Sequence, residues 1–353
     1  MCLCYHQDTP LRRPHLRVGK LPAELLQKLL AQVPALDPRV LVGARFGEDA
    51  ALIDYGDRVL VAKSDPVTFA TDRLGWYVVQ VNANDVAVMG ATPRWFLCTL
   101  LLPEGAPEAQ AEDLFRQLLE ACRELGVSLV GGHTEVTYGL RRPIAAGFML
   151  GEVERGKQVL TSGAQAGDAL ILTKGIAIEG TALLARDAAG ALRERGVAPE
   201  TIERAATLLF QPGISVVRDA RLACQAGGVH AMHDPTEGGL ATGLHELASA
   251  AGVGLEVDAA SIAVLPETAE VCRALGLDPM GLLASGALIA AVVPGSADLV
   301  VRALRDQGIP SAVIGRVVEA ERGVVLHTPA GPRPLPSFPR DELARFFEET
   351  RQP

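Results

Sequence analysis

Residues 73–89 read as one apolar helix that stops at Gly90, yet Asn84 and Asp85 stand inside it. A helix with this pattern is a core element. A carboxylate buried in it is tolerated only with a partner, because an unpaired charge in an apolar setting is costly. Asp85 is therefore a candidate for chemistry before anything else is known of the chain.

The surrounding pattern mixes strands and helices. Leu21 to Val33 has leucines at helical spacing. The runs "AALID" and "RVLVAKSD" read as strands separated by the Gly56-Asp57 turn, and "RWFLCTLLLP", "VSLVGG" and "PIAAGFMLGEV" as three more. Pro107 to Leu125 is an amphipathic helix ending at Gly126. Near Glu154 the pattern restarts with the strand "ALILTKG", helices over 179–189, 199–209 and 214–226, the strand "GVHAMHD" and the helix "GLATGLHELASAAG". It closes with strand–helix–strand–strand, which resembles half of a ferredoxin-like unit. The expected class is α/β or α+β, not one doubly wound sheet. At 353 residues, two domains are expected. They are placed at 20–155 and 156–335, with tails at 1–19 and 336–353.

Charge and cysteine usage exclude some functions. The 42 acidic and 33 basic residues leave a net charge of −9, a poor match for a nucleic-acid backbone, though a local nucleotide site stays open. No stretch approaches the roughly 18 apolar residues of a membrane span. No signal peptide is expected either, so the chain is expected to be cytoplasmic. The six cysteines, at 2, 4, 98, 122, 224 and 272, scatter like buried thiols rather than a disulfide framework.

Acids and glycines recur at strand ends: Gly47-Glu48-Asp49, Asp65, Gly131-Gly132-His133-Thr134-Glu135, and His233-Asp234-Pro235-Thr236-Glu237-Gly238-Gly239; Asn84-Asp85 lies in the helix that follows Asp65. Loops that leave a sheet edge are where ligands bind in α/β proteins. Carboxylates there suit Mg²⁺, and glycines let backbone N–H groups approach phosphate. Each fragment alone also fits a plain turn or helix cap. There is no G-x-x-x-x-G-K-[ST] and no G-x-G-x-x-G.

In order and spacing, "GEDAALID", "VLVAKSD", "VNANDVAVMGATPRWFL", "GGHTEVT", "LILTKGIAIEGTALLA" and "HDPTEGGLATGLHELA" resemble the AIR synthase (PurM-like) superfamily, in particular its hydrogenase-maturation branch, HypE. The resemblance spans about residues 20–330. It implies an N-terminal dimerising domain, a C-terminal ferredoxin-like α+β domain, and a homodimer that binds ATP and Mg²⁺. It implies activation of an amide- or thioamide-type oxygen by phosphorylation, on an unknown small-molecule or protein substrate. Two alternatives stand beside it: a non-catalytic nucleotide-binding partner in hydrogenase cofactor maturation, and a cyclo-ligase like AIR synthase itself. Carried over by position, it implies Asp49, Asp65, Asp85 and Asp234 as metal residues, with Asp85 and Asp234 catalytic. It further implies Asn84, Gly131, Gly132, Lys174, Gly175, Gly238 and Gly239, together with Asp49, around the nucleotide. Lys174 could equally be a solvated surface lysine. His133 stands where the branch has an aspartate, which puts one ligand in question. HypE proteins end in a cysteine that accepts a carbamoyl group; here the last cysteine is Cys272, so no thiocyanate is expected on the chain's own tail. Cys2 and Cys4 are the only mobile alternatives.

Overall fold

The computed structural model describes residues 21–351, apart from 22, 35, 46 and 69–71. After a short helix α1 (Ala23–Leu30) come six strands of a first sheet: β1 (Val40–Val42), β2 (Ala51–Asp54), β3 (Arg58–Val67), β4 (Thr92–Pro103), β5 (Ser128–Thr137) and β6 (Ile144–Glu154). Their order is β1-β2-β3-β6-β4-β5, antiparallel throughout except for the parallel β4–β5 pair. Along β4, Phe96, Cys98, Leu100 and Leu102 point inward and alternate with more exposed residues, the period-2 pattern of a strand with one core face. Against that face lie α2 (Leu74–Val88) and α3 (Glu108–Leu125). Helix α3 turns only Leu114, Gln117, Leu118, Ala121 and Cys122 inward, whereas α2 is buried at every position but Val81.

The reason is that α2 has neighbours on both sides. The second half of the chain supplies α4 (Ile178–Asp187), α5 (Ala189–Glu194), α6 (Pro199–Thr207), α7 (Val217–Ala226), α8 (Gly239–Ala251), α9 (Pro266–Leu275), α10 (Ala297–Asp306) and α11 (Glu342–Arg351). It also supplies the strands β7 (Ala169–Thr173), β8 (Val229–His233), β9 (Gly254–Asp258), β10 (Ile289–Val292), β11 (Ser311–Val318), β12 (Val324–Thr328) and β13 (Gly331–Pro334). These strands form one sheet in the order β13-β12-β9-β11-β7-β10-β8. Strands β10 and β11 are joined through α10 and flank β7, which runs antiparallel to both: a split crossover unit, as in ferredoxin-like folds. One apolar core joins the two halves, with Val78, Val79 and Ala83 of α2 in the same cluster as Ile178, Ala182, Leu209 and Ile214.

The mixed α/β class and the two-sheet build agree with the sequence reading. Two local expectations do not hold. Strand β5 continues through Gly131 and Gly132 instead of ending there, paired with β4 as far as Thr137. Residues 336–353, expected as a tail, carry α11, whose Leu343 and Phe346 are buried in the core. Their spacing of three puts both on one helix face. The expected tail at 1–19, with Cys2 and Cys4, lies outside the described residues.

Candidate functional site

Lys63 and Asp65 are two apart on β3 and share one face of the strand. Across from them, on α2, is Asp85. The Lys63 ammonium lies 3.2 Å from Asp85 Oδ2 and 3.7 Å from Asp65 Oδ2. Asn82, one turn before Asp85, fastens the two elements: its Oδ1 accepts from the Asp65 N–H (2.9 Å) and its Nδ2 donates to the Asp65 carbonyl (3.0 Å). Burial pushes the Asp85 carboxyl up, Lys63 opposes this, and Asp65 and Asp49 add to it, leaving it at about 7.

Asp49 enters from the loop before β2. Its Oδ2 accepts from the Thr161 hydroxyl (3.0 Å) and from His233 Nδ1 (3.0 Å), at the end of β8. The adjacent Glu48 takes the N–H groups of Thr161 and Ser162 at 3.1 and 3.3 Å and also bonds the Ser162 hydroxyl. The Glu48-Asp49 loop is thus stapled to the start of the second half. His233 Nε2 meets Glu246 Oε2 of α8 at 3.1 Å. Burial alone would lower the His233 pKa, but Asp49 and Glu246 outweigh it and hold it well above the ordinary histidine value. With a carboxylate facing each ring nitrogen, His233 is placed to donate from both as an imidazolium.

Next to it, Asp234 is buried, and its Oδ1 has no hydrogen-bond partner among the described residues. Burial, then Asp85 and Asp49, push its pKa well above the carboxylate range, against His233 and Lys63. Asp49, His233 and Asp234 offer ligand atoms within 4.8 Å of one another. With His233 protonated, the available donors are carboxylate oxygens, the set a hard cation such as Mg²⁺ takes. An orphaned buried oxygen at the centre of such a set fits that ion.

The structure thus brings together Asp49, Asp85 and Asp234, with Asp65 at the half-exposed rim. It gives other tasks to several expected residues. Asn84 is fully buried; its Nδ2 donates to the Ile214 carbonyl and its Oδ1 accepts from the Val216 N–H, both at 2.8 Å, so it clamps α2 to the second half. Lys174 is neither solvated nor free for phosphate: it is buried, donates to the Ser215 carbonyl at 2.5 Å and pairs with Asp219 at 3.3 Å. Gly132 is required by backbone packing, since a Cβ there would lie 2.0 Å from the Cys98 carbonyl oxygen. Gly131 and Gly132 lie within β5, not in a loop. Gly238 and Gly239 do open α8, but the Gly238 N–H is taken by Asp341 Oδ2 at 2.6 Å. Gly175 lies between β7 and α4, where a Cβ would come within 3.2 Å of the Ala263 carbonyl. His133 is exposed on β5, pairs with Glu135 at 3.0 Å and is not part of the metal-capable group. Cys272 is buried, and burial pushes its thiol up to about 12.

Lys63 and Glu246 were not singled out from the sequence, and Glu48 and His233 stood in the strand-end fragments without a role of their own. A signal for Lys63 was present: a lysine in the middle of an apolar strand, two residues before an aspartate, shares that aspartate's face. His233 and Glu246 meet only through tertiary structure.

With this geometry in view, sequence comparison is decisive. The AIR synthase related protein profiles match twice, the N-terminal domain over residues 47–153 and the C-terminal domain over 165–328. The chain belongs to the AIR synthase related family. It is 32% identical to the carbamoyl dehydratase HypE of Cupriavidus necator, over 87% of this chain and 86% of that one. It is also 32% identical to the carbamoyl dehydratase HypE of Escherichia coli, over 78% and 81%. Among solved structures, hydrogenase maturation protein HypE in complex with ATP superposes with a TM-score of 0.68 at 25% identity, covering 90% of this chain and 96% of that one. Escherichia coli HypE superposes with a TM-score of 0.71 at 26% identity, over 92% and 99%. No helix among the described residues is long and apolar enough to cross a membrane.

Proposed function

We propose that this member of the family is an ATP- and Mg²⁺-dependent enzyme that activates an amide- or thioamide-type oxygen by phosphorylation. The observation that carries this reading is the unpartnered, buried Oδ1 of Asp234 beside Asp49, in a cluster that Asp85 also enters. Such a set is stable only with a cation or with protons, and its oxygen donors suit a hard cation of the kind that bridges to phosphate. The relatives named as carbamoyl dehydratases support the choice of substrate class, because dehydrating a carbamoyl group requires its oxygen to be turned into a leaving group. Bound Mg²⁺ would neutralise charge on the phosphoryl being transferred.

In this reading residues 20–155 supply Asp49, Asp65 and Asp85, and residues 156–335 supply Asp234. Thr161 and the His233 imidazolium fix the Asp49 carboxylate by donating to it. Asp65, at the rim, is the carboxylate open to an incoming nucleotide. The same reading includes a homodimer formed through the first sheet, where Trp95, Val130, Val136 and Phe148 are exposed. An apolar face of this kind marks an interface.

Calorimetry with ATP and Mg²⁺ tests the proposal. Binding heat and a raised melting temperature are expected, because a ligand of the native state stabilises it. Asp234→Asn should bind no ATP–Mg²⁺ while remaining folded. Absence of heat and of any melting shift at millimolar ATP would refute the reading.

A further inference from the structure

Lys63 stands where the acid cluster is densest, and nothing derived so far explains why a lysine is there. Its ammonium reaches carboxylates on two elements, Asp65 of its own strand and Asp85 of α2. Bridging two carboxylates from separate elements is what a bound divalent ion does. We infer that Lys63 is a resident cation of this site: it takes the place between Asp65 and Asp85 that a divalent ion would otherwise fill, and leaves Asp49 and Asp234 as the place where an ion loads. The inference rests on the nucleotide–metal reading for its purpose, but its geometry stands apart from that reading.

Three observations support it. The lysine is not needed to hold β3 against α2, because the Asn82 side chain does that with two hydrogen bonds to the Asp65 backbone. The other cation of the cluster, His233, is engaged by Asp49 and Glu246 on its two ring nitrogens, so it offers nothing to Asp85 or Asp65. The open oxygen of the cluster belongs to Asp234, not to Asp85, which already has Lys63. A tethered ammonium is a compact point charge that cannot diffuse away. The charge compensation at Asp65 and Asp85 is therefore independent of the free Mg²⁺ concentration.

The test uses Mn²⁺, an ion of the same oxygen-ligand class that is countable by electron paramagnetic resonance, titrated into the full chain without nucleotide. Lys63→Met should bind Mn²⁺ at least about tenfold more tightly than the unaltered chain, or bind one further ion per chain, since a repelling charge has gone and two carboxylates are freed. Lys63→Arg keeps the charge and should behave as the unaltered chain does. Unchanged Mn²⁺ affinity and count in Lys63→Met overturns the inference, and so does a gain in Lys63→Arg equal to that in Lys63→Met. A misfolded protein does not gain a metal site, so a gain cannot come from damage. If Lys63→Met does not fold, acylation of the unaltered chain read by mass spectrometry decides. Saturating Mn²⁺ should leave labelling of Lys63 unchanged, because ion and ammonium occupy different places; increased labelling means that the ion evicts the lysine, and overturns the inference. Because nucleotide is absent, a chain that fails to bind ATP refutes the proposed function without altering this result.

Discussion

Asn84 can be a nucleotide contact or a fastener, and Asn84→Ala separates the two. In the structure its amide is spent inside the protein, donating to the Ile214 carbonyl and accepting from the Val216 N–H, at 2.8 Å each. Truncation removes both bonds and leaves a buried carbonyl and a buried N–H without partners. An orphaned group of this kind costs about 1–3 kcal/mol, so the two together should cost about 2–6 kcal/mol. That is a large fraction of the 5–15 kcal/mol typical of a folded domain. Urea unfolding followed by fluorescence should show a lower midpoint, while calorimetry on the folded variant should show ATP–Mg²⁺ affinity close to that of the unaltered chain. Asn84→Asp is the control: it still accepts from Val216 but sets a carboxylate oxygen against the Ile214 carbonyl, and should be at least as damaging. A variant Asn84→Ala within about 0.5 kcal/mol of the unaltered chain, the range of a neutral surface change, would refute the fastener argument. Loss of nucleotide affinity in the same variant would restore Asn84 to the site.

Two other outcomes are expected. Burial holds the Glu179 carboxyl at about 7 against an ordinary 4.5; a Ser285 hydrogen bond opposes this, and Asp341 and Glu237 add to it. The folded chain therefore retains a proton that the unfolded chain gives up, and this stabilisation, complete below pH 4.5, is lost as the pH rises through 7. Glu179→Gln should match the unaltered chain at about pH 4 and exceed it at about pH 8 by roughly 3 kcal/mol; a melting difference that stays flat between those pH values would count against this. Light scattering at micromolar concentration should give a particle of twice the chain mass, and Val136→Asp, on the exposed face of β5, should shift it toward the single chain; a single-chain particle for the unaltered protein rules the dimer out.

Periodicity and turn residues carried most of the fold. The apolar helix around Asp85, the amphipathic α3 and the strands of both sheets are written in local pattern, and so is the turn residue that stops each. Asp49 and Asp234 stand out in the sequence as acids beside glycines at strand ends, and Asp85 as a carboxylate inside an apolar helix; the structure gathers the three. What was illegible is decided by partners distant in sequence. Gly132 reads as a loop glycine until β4 is seen pressing on it. Lys174 reads as a surface lysine until Asp219 covers it. Residues 214–216 read as the first turn of α7, but Asn84 takes their backbone groups, and the helix begins at Val217. The last turns of the chain read as a tail because charged residues outnumber apolar ones there, and two buried side chains suffice to dock α11.

The burial of α2 on every side has a consequence for how the chain is made. A ribosome that has released only the first sheet has released Asp49, Asp65, Asp85 and Lys63, but the apolar flank of α2 that later meets Ile178, Leu209 and Ile214 is still bare. Asp234 follows about 150 residues after Asp85, roughly ten seconds or more of synthesis at ordinary rates. During that interval a half-finished protein shows a sticky helix and an acidic cluster that still lacks Asp234. Contacts of such long sequence separation form late. Competence to bind a nucleotide should thus arrive abruptly, when the second half closes over the helix, and a chain interrupted between residues 155 and 234 should be a substrate for chaperones rather than a weak enzyme.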